Sequence, residues 1–173
     1  MDERNRRSLF LVALAIVTWC PHVAFAKANY VAPDDVVLDS DLIVVGTLSQ
    51  VHEWTEDGTD YGVGRIDIQH VVVGDATNSE SVTLTWDNPT DRICPRVSHG
   101  PMDQRLALWF LSVEVDGTVR AVSSRHALAL DSPERLRSFL SELGDLRSRR
   151  ISTVREWLEG WLRSSKAGGL PLP

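Results

Sequence analysis

The side chains best suited to chemistry lie in one short segment, where Cys94 and His99 are five residues apart with Arg96 between them. A thiol and an imidazole at this spacing could serve as two soft metal ligands, or as a nucleophile with its base. A structural zinc site normally shows a second closely spaced pair of such residues, and the sequence has none. We therefore expect a loop cysteine and a solvated histidine, and we predict no metal ion and no cofactor.

Sequence fingerprints of the common enzyme classes are missing from the chain. It contains no nucleophile elbow, P-loop, zinc-protease motif or dinucleotide fingerprint. The acidic run Glu56–Asp60 lacks the regular spacing of a calcium loop and is more typical of a hairpin turn. We expect a non-catalytic protein, with a metal- or thiol-dependent enzyme using Cys94 and His99 as the alternative.

Residues 1–26 have the order of a secretory signal peptide. A basic start that ends at Arg7 precedes an apolar run, and Ala24 and Ala26 supply the small residues that a cleavage site needs. The apolar run is shorter than the ~20 residues required to cross a bilayer. Cleavage after Ala26 predicts an exported protein, periplasmic or extracellular.

The positions of the two cysteines bear on how the exported protein is processed. Cys20 could be lipidated, but Trp19 stands before it where a small residue is expected. Cleavage after Ala26 would remove Cys20 and leave Cys94 as the only cysteine, so that no internal disulfide could form. Cys94 would then most often be a buried small hydrophobe, with a reactive thiol or an intermolecular bridge as the alternatives.

The middle of the chain alternates apolar and polar residues with the period of two that half-buried strands show. Five strands are predicted, at 42–54, 61–73, 81–86, 106–115 and 118–122. The first two are expected to pair as a hairpin, and so are the last two. A long irregular connection separates the third strand from the fourth.

Two local signals refine this pattern. Gly46 interrupts the first strand and predicts a kink or bulge, because glycine within a strand commonly marks a sharp bend. Asp116-Gly117 between the last two strands predicts a type I′ hairpin turn, which needs positive φ at both central positions.

Strands in this order, with a kinked first strand and a long third connection, resemble the OB-fold, a five-stranded Greek-key barrel. More narrowly, the stretch from Ser40 to about Val122 is similar to secreted bacterial OB-like domains of the netrin-like family, which are related to the tissue inhibitors of metalloproteinases. The residues that carry this resemblance are Ser40–Thr47, His70–Asp75, Cys94–Arg96, Leu108–Leu111 and Asp116-Gly117. The resemblance implies a mainly β protein with an OB-like barrel over residues 27–130.

The chain also departs from the animal inhibitors of that family. Those proteins chelate the protease zinc through a mature N-terminal cysteine and carry a set of disulfides, whereas this mature chain would begin at Lys27. The resemblance therefore implies a fold and not protease inhibition by that route.

Residues 131–173 are predicted to be helical. Asp131 or Ser132 would cap a first helix that begins at Pro133 and stops at Gly144. An apolar stripe with arginines around it then predicts a second helix, either packed on the barrel or extending from it. Its candidate interaction residues, for a partner groove or an anionic membrane surface, are Trp157, Trp161, Arg150 and Arg155.

The charge is divided between these regions. Residues 27–130 carry a balance of −9 and residues 131–173 a balance of +2, within a total of −6. An acidic barrel argues against a nucleic-acid partner, which needs a basic groove with exposed aromatic rings. We therefore expect most of Trp54, Trp86 and Trp109 to serve core packing, and we expect the protein to bind another protein or a cell-envelope component.

Overall fold

The computed structural model describes residues 31–76, 79–89, 99, 102–122, 127–145 and 147–166 of the 173-residue chain. The predicted signal peptide, with Cys20 and its cleavage site, lies outside the described residues. Three helices and six strands occur in this part of the chain, in the order α1 (Pro33–Leu38), β1 (Leu42–Glu56), β2 (Thr59–Val73), β3 (Ser81–Pro89), β4 (Leu106–Val113), β5 (Val119–Ala121), β6 (Ala127–Ala129), α2 (Pro133–Glu142) and α3 (Arg149–Lys166).

Five of the strands form a ring-like sheet, so the expected mainly β fold with C-terminal helices is confirmed. The order around the ring is β1-β2-β3-β5-β4, and the pairing of β4 with β1 closes it. All neighbours are antiparallel except β3 and β5, which run parallel. The short strand β6 pairs with β4 outside the ring, and the sequence pattern did not reveal it.

The two faces of β1 and β4 belong to two different cores. Alternate side chains point to opposite faces of a strand. One set joins residues of the other ring strands inside the ring, namely Leu42, Val44, Leu48, Ile66, Leu84, Trp86, Ala107, Trp109, Leu111 and Val119. The other set, which includes Ile43, Val45, Leu108 and Phe110, packs against the three helices. Burial on both faces explains why Leu42–Gly46 is continuously apolar.

The expected irregularity at Gly46 is confirmed by a register shift between Val45 and Gly46 in the β1–β2 ladder. A Cβ atom at Gly46 would lie 2.7 Å from the backbone oxygen of Asp67, so the close approach of the two strands requires glycine. A further shift lies between Ser49 and His52, where Gln50 has a φ of 55°. Both irregularities help β1 to bend around the ring.

The two hairpin turns are of different types, and a type was predicted only for the second. Asp57 and Gly58 have φ values of 48° and 74° between the paired residues Glu56 and Thr59, which is the pattern of a type I′ turn. At the β4–β5 hairpin Gly117 alone has positive φ (82°), and Asp116 does not. The predicted type I′ turn at Asp116-Gly117 is therefore wrong, although the hairpin is confirmed.

The β4–β5 connection is instead a three-residue loop with a bulge. Its Gly117 N–H donates to the Glu114 carbonyl at 3.0 Å, and the Glu114 N–H donates to the Thr118 carbonyl at 2.9 Å. A three-residue loop of this kind needs positive φ only at its last residue, which glycine provides.

The helices cover the outer face of β1 and β4. Helix α2 begins at Pro133 with Ser132 at its N-cap, as predicted, and α3 supplies buried Ile151, Val154 and Leu158 to the same core. Helix α1 was not predicted, because one and a half turns leave little periodicity to detect. Within the described residues, no helix has both the length and the apolar character needed to cross a membrane.

Candidate functional site

His99 lies inside the ring and is fully buried, with an exposed fraction of 0%. Its imidazole meets the Trp86 ring edge-on at a centroid distance of 4.4 Å, and the Trp109 ring lies 6.1 Å away. The expectation of a solvated histidine is therefore wrong, because the long connection brings His99 back between two core tryptophans. Cys94 and Arg96 lie outside the described residues, so the Cys94–His99 pair stays a prediction.

Metal-binding groups of three or more His, Cys, Asp or Glu side chains are not found among the residues that the structure describes.

The predicted interaction residues of α3 mostly face the rest of the protein. Trp161 is 5% exposed, and its ring stacks with that of Trp157 at a centroid distance of 5.4 Å. The half-buried Trp157 in turn stacks with His70 of β2 at 6.3 Å. The apolar stripe that suggested a partner groove or a membrane is thus in contact with β2 and the helical core.

The two arginines of this set contact the ends of the other helices. Arg150 Nη1 donates to the carbonyl of Leu38, the last residue of α1, at 3.1 Å, and Arg155 Nη2 donates to the carbonyl of Leu143, which follows α2. Carbonyls at a helix C-terminus lack intrahelical partners and carry partial negative charge, so that they favour a cation there. Both arginines therefore fix α3 to α1 and α2.

A cluster of aromatic side chains, two exposed and one half-buried, lies elsewhere, on the outer half of the β1–β2 hairpin (residues 49–63, hereafter the arm). His52 and Trp54 of β1 stack at a centroid distance of 5.5 Å, and Trp54 and Tyr61 of β2 stack at 5.6 Å. Trp54, in the middle of this aromatic stack, is 41% exposed. Three rings are thus held in register on the outer face of the sheet.

The arm is held at one end by a tight turn and at the other by packing against the core, and its sequence explains both. The turn at Asp57-Gly58 fixes the pairing of Trp54 with Tyr61. On the opposite face Gly62 leaves room for the Trp86 ring, since a Cβ atom at Gly62 would lie 2.0 Å from it. Because Trp86 is buried under Gly62, the aromatic stack stands on a packed support.

A polar groove continues the same outer face across β3 and β5. Asp87, the partner of Tyr61 in the β2–β3 ladder, forms an ion pair with Arg120 at 2.9 Å. Arg120 also lies 3.7 Å from Glu114, which lines an open groove of about 580 Å³ together with Thr85 and the β4–β5 loop. The groove therefore presents carboxylate, guanidinium and hydroxyl groups beside the aromatic stack.

The β4–β5 loop at the edge of this groove is held by Asp116. Its carboxylate accepts hydrogen bonds from the Thr118 hydroxyl at 2.7 Å and from the Thr118 N–H at 2.9 Å. These bonds favour the ionised form and lower the pKa of Asp116, with a small further contribution from Arg120. Val115 at the tip of the loop is fully exposed, so the loop offers an apolar side chain next to the polar groove.

A second concavity, of about 350 Å³, lies between β6 and α2. Phe139 and Met102 contribute apolar surface to it, and Arg135 and Glu142 contribute charge. Glu142 accepts a hydrogen bond from Ser138 at 3.1 Å within the same helix. Ser138 and Glu142 are thus engaged with each other, and no aromatic ring is exposed beside them in the described residues.

Sequence reasoning expected core packing for most of the three strand tryptophans, and this holds for Trp86 and Trp109 but not for Trp54. The alternation of polar and apolar residues along the strands contained a signal for this difference. Trp54 shares its face of β1 with His52 and Glu56, which are polar, whereas Trp109 alternates in phase with the apolar Ala107 and Leu111. The polar neighbours at i−2 and i+2 mark the face of Trp54 as a solvent face.

Comparisons of the chain with models of protein families and with curated proteins found no match.

Proposed function

We propose that this chain is an exported, non-catalytic OB-like module that binds a protein or a cell-envelope component through the outer face of the arm. The observation that carries the proposal is the aromatic stack, in which Trp54 is 41% exposed although strand tryptophans normally bury their area. Aromatic side chains on a fixed support are enriched at binding sites, because they supply large contact area at a low cost in conformational entropy.

An OB-fold barrel is the architecture that we assign to the ring of strands. The closure of the ring through β1 and β4 and the parallel pairing of β3 with β5 support this assignment. OB-folds bind their ligands on the face of strands two and three, between the first and fourth hairpin loops. Tyr61 on β2, Thr85 and Asp87 on β3 and the β4–β5 loop would correspond to this face, and His52 and Trp54 of β1 lie beside it, which supports the proposal.

A non-catalytic role is supported by the placement of the reactive side chains among the described residues, which do not include Cys94. His99 is enclosed by Trp86 and Trp109, so that a substrate in solvent could not reach its ring without rearrangement of the core. Arg120 and Asp87 at the groove neutralise each other in an ion pair. The arm itself carries carboxylates without a basic side chain, which disfavours nucleic acid.

Capture experiments with the mature chain from Lys27 onward test the proposal. The wild-type chain should retain a defined component from a periplasmic or envelope extract of its host, and a Trp54→Ala/Tyr61→Ala variant should not. Leu38→Ala is the matched control, because Leu38 is 44% exposed on α1, away from the arm. Equal capture by the double variant and the wild type would show that the aromatic stack is not the binding surface.

The exported state has its own test. Mass spectrometry of the protein recovered from its native compartment should give a chain that begins at Lys27 and carries no lipid. A chain that keeps residues 1–26, or one that begins at a lipidated Cys20, would contradict the proposed cleavage.

A further inference from the structure

Within the part of the chain that the structure describes, the outer edge of β1 is open along the arm. Strand β4 covers this edge only from Leu42 to Thr47, and a single bridge between Leu48 and Asp103 follows. From His52 to Glu56 the ladder with β2 continues on the other side, but none of the described strands pairs with this edge. Alternate residues of 52–56 therefore direct their N–H and C=O groups away from β2, where another strand could bind them.

The charge around this edge is of one sign. Residues 50–63 contain the carboxylates of Glu53, Glu56, Asp57 and Asp60 and no lysine or arginine. Exposed strand edges in natural proteins commonly carry charges, which prevent self-association. A second copy of this chain paired along the same edge would bring carboxylates together, whereas a basic strand would be attracted.

Both faces of the edge strand favour a cationic neighbour. His52 and Trp54 point to the outer face, where a lysine or arginine from an added strand would reach the ring of Trp54. Glu53 and Thr55 point to the opposite face, where Thr55 already donates a hydrogen bond to Asp60 at 2.7 Å. Glu53 is exposed there and is able to pair with a cation of an added strand.

We propose that residues His52–Glu56 form a strand-addition site for an extended, lysine- or arginine-bearing segment of a partner protein. Main-chain hydrogen bonds to the open edge provide affinity, and the acidic and aromatic side chains select a basic segment. This inference rests on the proposed function and narrows the partner from a protein or envelope component to a protein with such a segment.

Hydrogen exchange in the free protein is the first test. The amides of 52–56 that point away from β2 should exchange far faster than those that bond to β2, because nothing protects them. Equal protection of both sets would show that the edge is already covered by another part of this chain, and the proposal would fall.

A synthetic peptide of about eight residues that alternates lysine and valine is the binding probe, since that length covers the open edge. In an NMR titration the peptide should shift the signals of 52–56 and of the Trp54 indole. A version with alternate backbone nitrogens methylated should bind at least about tenfold more weakly, because it cannot complete the strand ladder. A version with glutamate in place of lysine should not bind. Equal binding of the methylated peptide, or no shift at 52–56 with the lysine peptide, would overturn the proposal.

Charge reversal separates this inference from the proposed function. Glu53→Lys/Glu56→Lys should weaken binding of the lysine peptide at least about tenfold and abolish capture of the native component. Glu134→Lys/Glu156→Lys, on exposed positions of α2 and α3, makes the same charge change away from the arm and should leave both unchanged. If capture is lost with Trp54→Ala/Tyr61→Ala but persists with Glu53→Lys/Glu56→Lys, the proposed function stands and the strand-addition site falls. If neither pair of substitutions affects capture, both proposals fall.

Discussion

The two halves of β1 belong to one continuous strand but face different surroundings. Residues 42–48 have β2 and β4 on their two edges, the ring interior on one face and the helices on the other. Residues 49–56 have β2 alone, and their side chains are exposed apart from the half-buried Ser49 and Val51. The change from packed to exposed surroundings occurs at the bulges near Gly46 and Gln50. One hairpin thus has a packed inner half and an exposed arm, which can be altered separately.

Removal of a large side chain from the core inside the ring should have the largest effect on stability. Trp109 is fully buried, and its Nε1 donates to the carbonyl of Gly46 at 3.0 Å. Trp109→Ala should lower the free energy of unfolding by about 3–5 kcal/mol, because it leaves a cavity and an unpaired carbonyl. Urea denaturation followed by circular dichroism measures this, and Trp109→Phe should cost less. A loss below about 1 kcal/mol would mean that the ring interior is not a tightly packed core.

A methyl group added at the position where the arm contacts the core inside the ring should have the next largest effect on stability. At Gly62 it would overlap the Trp86 ring, and Gly62→Ala should destabilise the protein by about 1–3 kcal/mol. Gly160→Ala is the matched control, since a Cβ atom at Gly160 meets nothing within 4 Å and lies inside α3. That control should stabilise the protein by about 0.5–1 kcal/mol, because alanine favours a helix. Differential scanning calorimetry should show a lower melting temperature than wild type for Gly62→Ala and a higher one for Gly160→Ala. Shifts of the same sign would contradict the packing of the arm on Trp86.

Truncation of the exposed tryptophan should hardly affect stability. Trp54→Ala removes two aromatic stacks on a solvent face, and the free energy of unfolding should fall by about 0.5–1 kcal/mol. Trp54→Phe keeps a ring in the stack and should stay close to the wild type. Urea denaturation that gave a loss as large as for Trp109→Ala would show that the arm is part of the core, against the division of β1 proposed here.

The smallest effect is expected for the protonation of Asp116 in the β4–β5 loop. The pKa of Asp116 is lowered in the folded protein, so its contribution to stability is present above the unfolded pKa and is lost as the pH falls through the folded one. Thr118→Val removes the hydroxyl donor and should raise the pKa of Asp116 towards its ordinary value. The NMR titration of the Asp116 carboxyl carbon measures this shift, and Thr83→Val on β3 is the control that should leave it unchanged. An unaltered titration in Thr118→Val would rule out the hydroxyl as the cause.

Much of the strand pattern could be predicted, because alternation along a strand depends only on which face is buried. The hairpins, the bend at Gly46 and the first C-terminal helix followed from local residue types. Helix α1 and strand β6 could not be predicted in this way, since six and three residues are too short to show a period. The turn at Asp116-Gly117 was assigned the wrong type, because the same dipeptide also fits a three-residue loop.

The sequence by itself determined the five ring strands, the two C-terminal helices, the acidic charge of the arm and the predicted export signal, all of which depend on neighbouring residues in the chain. Only the tertiary structure decided which aromatic side chains are buried and which are exposed. His99 is buried because a long connection returns it to the ring interior, and Arg150 is bound because the start of α3 lies against the last carbonyl of α1. Trp54 is exposed because none of the described helices or strands packs on the outer face of the arm. The burial of His99 and the binding of Arg150 depend on contacts between residues distant in sequence, which no local pattern of residue types contains, whereas the polar neighbours of Trp54 on β1 already indicated a solvent face.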